Sequence, residues 1–107
     1  MSRRGQDAPR SFSDDGLTVA LDVHGCTVDG ALGFIRGTLA LASRRGRSQV
    51  DVIHGVGGAI EFALRDALAG RELAGAESYM TVSGRTVIGL RIGAVGDPRR
   101  IVAADLR

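Results

Sequence analysis

The 107-residue sequence has no lysine, no tryptophan, two prolines and one cysteine, and its aromatic content is 4%. A single cysteine, Cys26, excludes an internal disulfide and a cysteine-based zinc site, and it fits a reducing compartment. No apolar run approaches the roughly 18 residues that a membrane span needs. Nor is the opening Met1-Ser2-Arg3-Arg4-Gly5 followed by the continuous apolar segment of a secretory signal. No membrane association and a cytoplasmic location are therefore expected. The few aromatics give little platform for stacking single-stranded bases. With lysine absent, all 14 basic side chains are arginines, whose planar forks suit bidentate phosphate contact. A compositional bias of the genome would give the same count. The net charge of +2 is too small an excess to define a polyanion partner by itself.

What is present is an ordinary soluble composition, 44% hydrophobic and 24% charged, in a chain long enough for one compact domain. Residues 1–16 carry Arg, Asp, Ser, Gly and Pro with Phe12 as their one large apolar side chain, and they read as a flexible N-terminal arm. Residues 17–107 read as a single domain. Its first strand runs from Leu17 to His24 and is closed by Gly25. A helix follows, capped by Thr27, with Asp29 at its positive end and Val28, Ala31, Leu32, Ile35, Leu39 and Ala42 at helical spacing. Gly30, Gly33 and Gly37 weaken this helix and are expected to allow close approach to the sheet; Gly46 is its expected C-cap.

Ser48 to His54 predicts a second strand, and Ile60 to Ala69 a second helix with one apolar face. Glu77–Val82 and Thr86–Ile92 predict two strands around a Ser83-Gly84 turn, and Ile101–Leu106 a short strand or helical turn. The fold class is α/β, in the order βαβαββ: a two-layer sandwich of a mixed four-stranded sheet and two helices. Strands alternating with helices imply parallel neighbours joined by right-handed crossovers.

Two apolar runs end in a histidine followed by glycine, Leu21-Asp22-Val23-His24-Gly25 and Val52-Ile53-His54-Gly55-Val56-Gly57-Gly58. If both are parallel strands, their ends share one sheet edge, where open α/β sheets place their ligands. Asp22 and His24 point to the same side of a strand. The carboxylate can then hold the histidine tautomer, favour the imidazolium, or act as a base on water or a ribose hydroxyl. Gly55, Gly57 and Gly58 bring backbone amides to the start of the second helix, a natural seat for a phosphate. Should the third strand run parallel to the first two, Arg85 lies beside His54, and it is the arginine expected to contact phosphate. Arg44, Arg45 and Arg47 sit at the other end of a helix of about 18 residues, roughly 27 Å away, and read as a solvated helix end.

These motifs, with the Thr27-Val28-Asp29 helix start and the two closing strands, resemble the Smr (small MutS-related) domain family from about Leu17 to Ile92. The resemblance implies a fold similar to the C-terminal domain of a bacterial initiation factor, and DNA or RNA as partner. It places the LDxH motif on Leu21–His24, with Asp22 and His24 catalytic. The HGxG motif falls on His54–Gly57, which would hold the scissile phosphate. Val23 stands where leucine is usual, and Val56 where a basic residue is frequent, so the loop lacks a charge. Endonuclease activity on phosphodiester bonds is the implied function. A non-catalytic nucleic-acid-binding module and a small protein-interaction domain are the alternatives. Two histidines and an aspartate can ligate a divalent metal, yet no spacing calls for one, and no small-molecule cofactor is implied.

Overall fold

The computed structural model describes residues 9–91 and 96–106. Residues 1–8 of the expected arm and Ile92, the expected end of the last strand, lie outside that range. The elements in order are β1 (Ser11–Asp14), β2 (Thr18–Asp22), α1 (Val28–Arg44), β3 (Gln49–Ile53), α2 (Ala59–Ala69), β4 (Ala76–Val82), β5 (Arg85–Leu90) and a 3-10 turn at Ala103–Leu106. The described strands form one sheet in the order β1-β2-β3-β5-β4. β2 and β3 are parallel, whereas β1 pairs antiparallel with β2, and β5 antiparallel with both β3 and β4. β4 therefore runs parallel to β3, and the βαβαββ core matches the sequence reading.

Both crossovers, β2-α1-β3 and β3-α2-β4, step in the same direction across the sheet. Right-handed connections then place both helices on one face. The burial pattern follows. Val19, Leu21, Val50, Val52 and Ile88 point into the helix layer and are fully buried against Ala31, Ile35, Leu39 and Leu64. Their neighbours Ala20, Asp22, Asp51 and Ile53 are half-buried on the helix-free face. Thr27 caps α1 by accepting from the Gly30 amide at 3.0 Å, as expected. The α1 glycines do not face the sheet, however. Gly33 is exposed with open space beside it, and a Cβ on Gly37 would meet Leu106 at 3.6 Å.

Part of the expected flexible arm is a fifth strand. β1 holds Phe12 opposite Leu21 and Asp14 opposite Val19, so both side chains turn toward the helix layer while Ser11 and Ser13 face away. A four-residue edge strand with one apolar side chain has no signal in composition, because what holds it is distant in sequence. That partner is Arg47. α1 stops at Arg44, and Gly46 turns the chain at φ +75°, with the Arg47 amide returning to Ala42 O at 2.9 Å. The turn aims the Arg47 side chain inward, where it is 1% exposed, not solvated as the sequence suggested.

All five N–H donors of Arg47 are used. Nε donates to Asp14 Oδ1 at 2.9 Å and Nη2 to Asp14 Oδ2 at 3.0 Å. Nη1 reaches the carbonyls of Arg45 and Asp97, and the second Nη2 proton that of Arg99 at 2.7 Å. The Asp14 carboxylate also accepts from the amides of Gly16 and Ile101, each at 2.8 Å. Burial alone would raise the Asp14 carboxyl, but the hydrogen bonds from Arg47, Ile101 and Gly16 outweigh it and hold it below its ordinary value of 3.8. A carboxyl depressed in the folded state adds stability above its unfolded value and loses that contribution as pH falls through the folded one.

Breaking this pair from one side leaves a buried charge uncompensated. Arg47→Met is expected to lower the unfolding free energy by about 3–5 kcal/mol in urea titration at neutral pH. Wild-type stability is expected to fall as pH drops below 3.8, and Asp14→Asn to flatten that acid limb.

Candidate active site

The C-terminal ends of β2 and β3, and the turn between β4 and β5, lie along one edge of the sheet. Asp22 pairs with Ile53, and Ile53 with Arg85, so the three stand side by side on the helix-free face. Beyond Asp22 the chain adds one more ladder bond, Val23 N to Ile53 O at 2.8 Å, and turns at Gly25 with φ +85°. Val23 is fully buried in the core. Its two neighbours therefore face outward together.

His24 Nδ1 lies 2.6 Å from Asp22 Oδ1, which also accepts from the His24 amide at 3.1 Å. The carboxylate, 21% exposed, can accept but not donate when ionised, so Nδ1 carries the proton in this contact. Nε2 is left as the free ring nitrogen of a side chain that is 49% exposed, with no other partner among the described residues. This is the geometry of a base oriented by an acid.

The HGxG loop meets this pair as expected. A Cβ built on Gly55 would sit 3.8 Å from His24 Cβ, so the two motifs lie side by side. The His54 imidazole takes a different place. Its side chain is fully buried, with Nδ1 2.7 Å from Gly55 O and Nε2 2.8 Å from Thr86 Oγ1. Because a carbonyl only accepts, Nδ1 donates; in the neutral ring Nε2 then accepts from the Thr86 hydroxyl. Thr86 Oγ1 in turn lies 3.0 Å from Thr81 Oγ1. With both nitrogens occupied and no exposed surface, His54 shapes the loop from beneath. Any contact with a phosphate runs through the backbone that it holds.

That backbone is partly committed. The His54 and Gly55 amides donate to Gly84 O at 2.9 and 3.0 Å, pinning the loop to the hairpin turn. The Gly57 amide donates to Glu61 Oε1 at 2.8 Å. Glu61, in the first turn of α2, is also held by Arg65 at 3.1 Å. Gly58 is the N-cap, with no side-chain cap bond, so the first amides of α2 face the loop without one. Val56 at the tip is 77% exposed. Arg85 is exposed two strands from Asp22, with no partner among the described residues. Among those residues no group of three His, Cys, Asp or Glu side chains is placed to hold a metal ion, and no helix is long and apolar enough to cross a membrane.

Sequence reasoning missed three residues here. Glu61 carried a readable signal, an acid at the third helical position after the cap. Thr86 had none beyond its place in a strand. Arg10 lay in the supposed arm, yet its amide donates to Asp22 O and its Nε to His24 O at 2.9 Å. Thr86→Val would leave the buried His54 Nε2 without its partner. It is expected to cost about 1–3 kcal/mol in denaturant unfolding, with Thr86→Ser largely restoring stability.

Comparisons with known proteins identify the family and the fold. The family model described as the Smr domain matches residues 21–91, from the start of the first motif to just past β5. Among solved structures, the Smr domain of Thermus thermophilus MutS2 is similar at 34% identity with a TM-score of 0.61, over 67% of this chain and 96% of that one. A comparison with curated proteins finds no match. On the family model, the shared fold and the two motifs meeting at one edge, the chain belongs to the Smr domain family.

Proposed function

We propose that this Smr domain binds DNA or RNA and cleaves phosphodiester bonds, with Asp22 and His24 as its catalytic pair. The observation that carries the reading is the 2.6 Å contact between His24 Nδ1 and Asp22, which leaves Nε2 free on an exposed ring. In this reading Nε2 takes a proton from the attacking oxygen, either water or a ribose 2′-hydroxyl. Asp22 fixes the tautomer and stabilises the imidazolium that results. As the attacking oxygen bonds to phosphorus, negative charge builds on the phosphoryl oxygens; as the P–O bond to the leaving oxygen breaks, that oxygen keeps the electron pair and takes a proton from the imidazolium or from water. Arg85 and the first amides of α2 are the groups available to stabilise the phosphoryl charge. His54, Gly55, Gly57 and Gly58 form the loop that shapes this cradle, with the His54 ring acting from below.

Binding without cleavage is the second reading, and one observation favours it. The Glu61 carboxylate occupies the Gly57 amide, and the exposed tip residue is Val56, so the loop offers few donors and no cation of its own. That arrangement suits a modest hold on a phosphate better than strong stabilisation of a transition state.

End-labelled single-stranded RNA, single-stranded DNA and duplex DNA, incubated with the domain with and without Mg²⁺ or Mn²⁺, separate the readings. Cleavage by the wild type is expected, with Asp22→Asn and His24→Ala each slower by about 10²–10⁴-fold while affinity is retained. Cleavage that persists in both variants rejects the catalytic pair. Salt-dependent binding with no strand breaks under any condition supports the binding module.

A further inference from the structure

Most of the described arginines are already engaged or remote from the strand-end edge. Arg47 is buried with Asp14, Arg65 is paired with Glu61, Arg91 with Glu77 and Arg99 with Asp97. Arg45 reaches Arg99 O and Asp105 at the other end of α1. Arg10 differs. It precedes β1, its backbone amide donates to Asp22 O, and its Nε donates to His24 O at 2.9 Å. A Cβ on Gly25 would lie 2.9 Å from its Nη2 and 3.4 Å from its Nε, so the guanidinium lies close beside the His24-Gly25 turn.

One of its five N–H donors is thereby spent on fixing its position. The four Nη protons have no partner among the described residues, and the side chain is exposed. An arginine anchored through Nε with an open outer fork is preorganised for an anion, because little side-chain entropy remains to be lost on binding. Its position is fixed from the other end as well. β1 is held by the buried Asp14–Arg47 pair, three residues beyond Ser11.

We propose that Arg10 is a phosphate-binding residue of this site, supplied by the chain leading into β1, outside the family-matched segment, residues 21–91. The assignment rests on the nucleic-acid reading above. Arg10, just before β1, and Arg85, at the start of β5, then flank the Asp22-His24 pair along the edge, with β1 and β5 three strand spacings or about 14 Å apart. A polynucleotide backbone crossing the strand ends meets a cation on each side of the acid–base pair. With Val56 at the loop tip and Arg65 paired to Glu61, these two are the arginines at the edge that no carboxylate engages among the described residues.

The test is the salt dependence of binding to a fluorescein-labelled single-stranded oligonucleotide, RNA and DNA, read by anisotropy at several salt concentrations. Each neutralised phosphate contributes about 0.7–0.9 to the slope of log K against log salt. Arg10→Gln is expected to lower the slope by about one such contact and to weaken binding several-fold at low salt. Arg10→Lys should keep the slope, and Arg36→Gln, on the outer surface of α1, should leave both unchanged. In the unmodified protein, the Arg10 Nε–H resonance should shift in ¹H–¹⁵N NMR on adding the oligonucleotide, which tests the contact even should a variant fold poorly. A wild-type slope in Arg10→Gln, or equal losses in Gln and Lys at constant slope, shows a backbone clamp and overturns the proposal, as does an unmoved Nε–H. A wild-type protein that binds neither RNA nor DNA overturns the nucleic-acid reading itself, and the Arg10 assignment with it.

Discussion

The buried pair of Arg47 and Asp14 ties together pieces of chain that no local rule would join. β1, the turn after α1 and the segment from Asp97 to Ile101 all meet on one guanidinium and one carboxylate. Such a pair is tolerable in a protein interior because every donor of the arginine is met and the carboxylate receives two amides besides. Its value is positional. By fixing β1 on the free edge of β2, it brings Arg10 to the turn that presents His24, and so connects one end of the sheet to the chemistry at the other.

A second polar network does comparable work beneath the loop. His54, Thr86 and Thr81 link β3, β5 and β4 through side chains, and the Gly84 carbonyl ties the loop to the hairpin through the backbone. A histidine in this position is a support for the backbone around it. The exposed histidine, His24, has the opposite environment, with one nitrogen engaged by a carboxylate and the other open. The register pairs Asp22 with Ile53, so His54 falls level with the buried Val23 and His24 one residue further on, and the two imidazoles turn to opposite faces of the sheet.

The sequence made the fold core legible because its signals are local. Alternating apolar residues marked β2 and β3, a helical apolar face marked α1 and α2, and Ser83-Gly84 marked the hairpin. The meeting of the two motifs followed from topology, since parallel strands must end on the same edge. What was not legible depends on contacts distant in sequence. Ser11 to Asp14 looks like solvated coil until Asp14 finds Arg47, 33 residues away. Arg47 looks like a surface cation for the same reason. The inward turn of His54 continues the alternation of the buried Val50 and Val52, but its partner Thr86 carries a hydroxyl that nothing in a strand pattern distinguishes from any other threonine. Gly33 and Gly37 each follow a buried residue, Ala31 and Ile35, by two positions, about 200° around the helix, so they lie off the face that meets the sheet.

The strand that completes the edge lies upstream of the segment recognised as the family's unit, which begins at residue 21. A fragment trimmed to that boundary would keep both motifs and both helices, yet it would lose β1 together with Thr18, Val19 and Ala20 of β2, and it would strand Arg47 as a lone cation in the interior. The recognisable unit and the unit able to stand by itself thus have different borders in this chain. Where to cut it is a question of charge balance rather than of motif content.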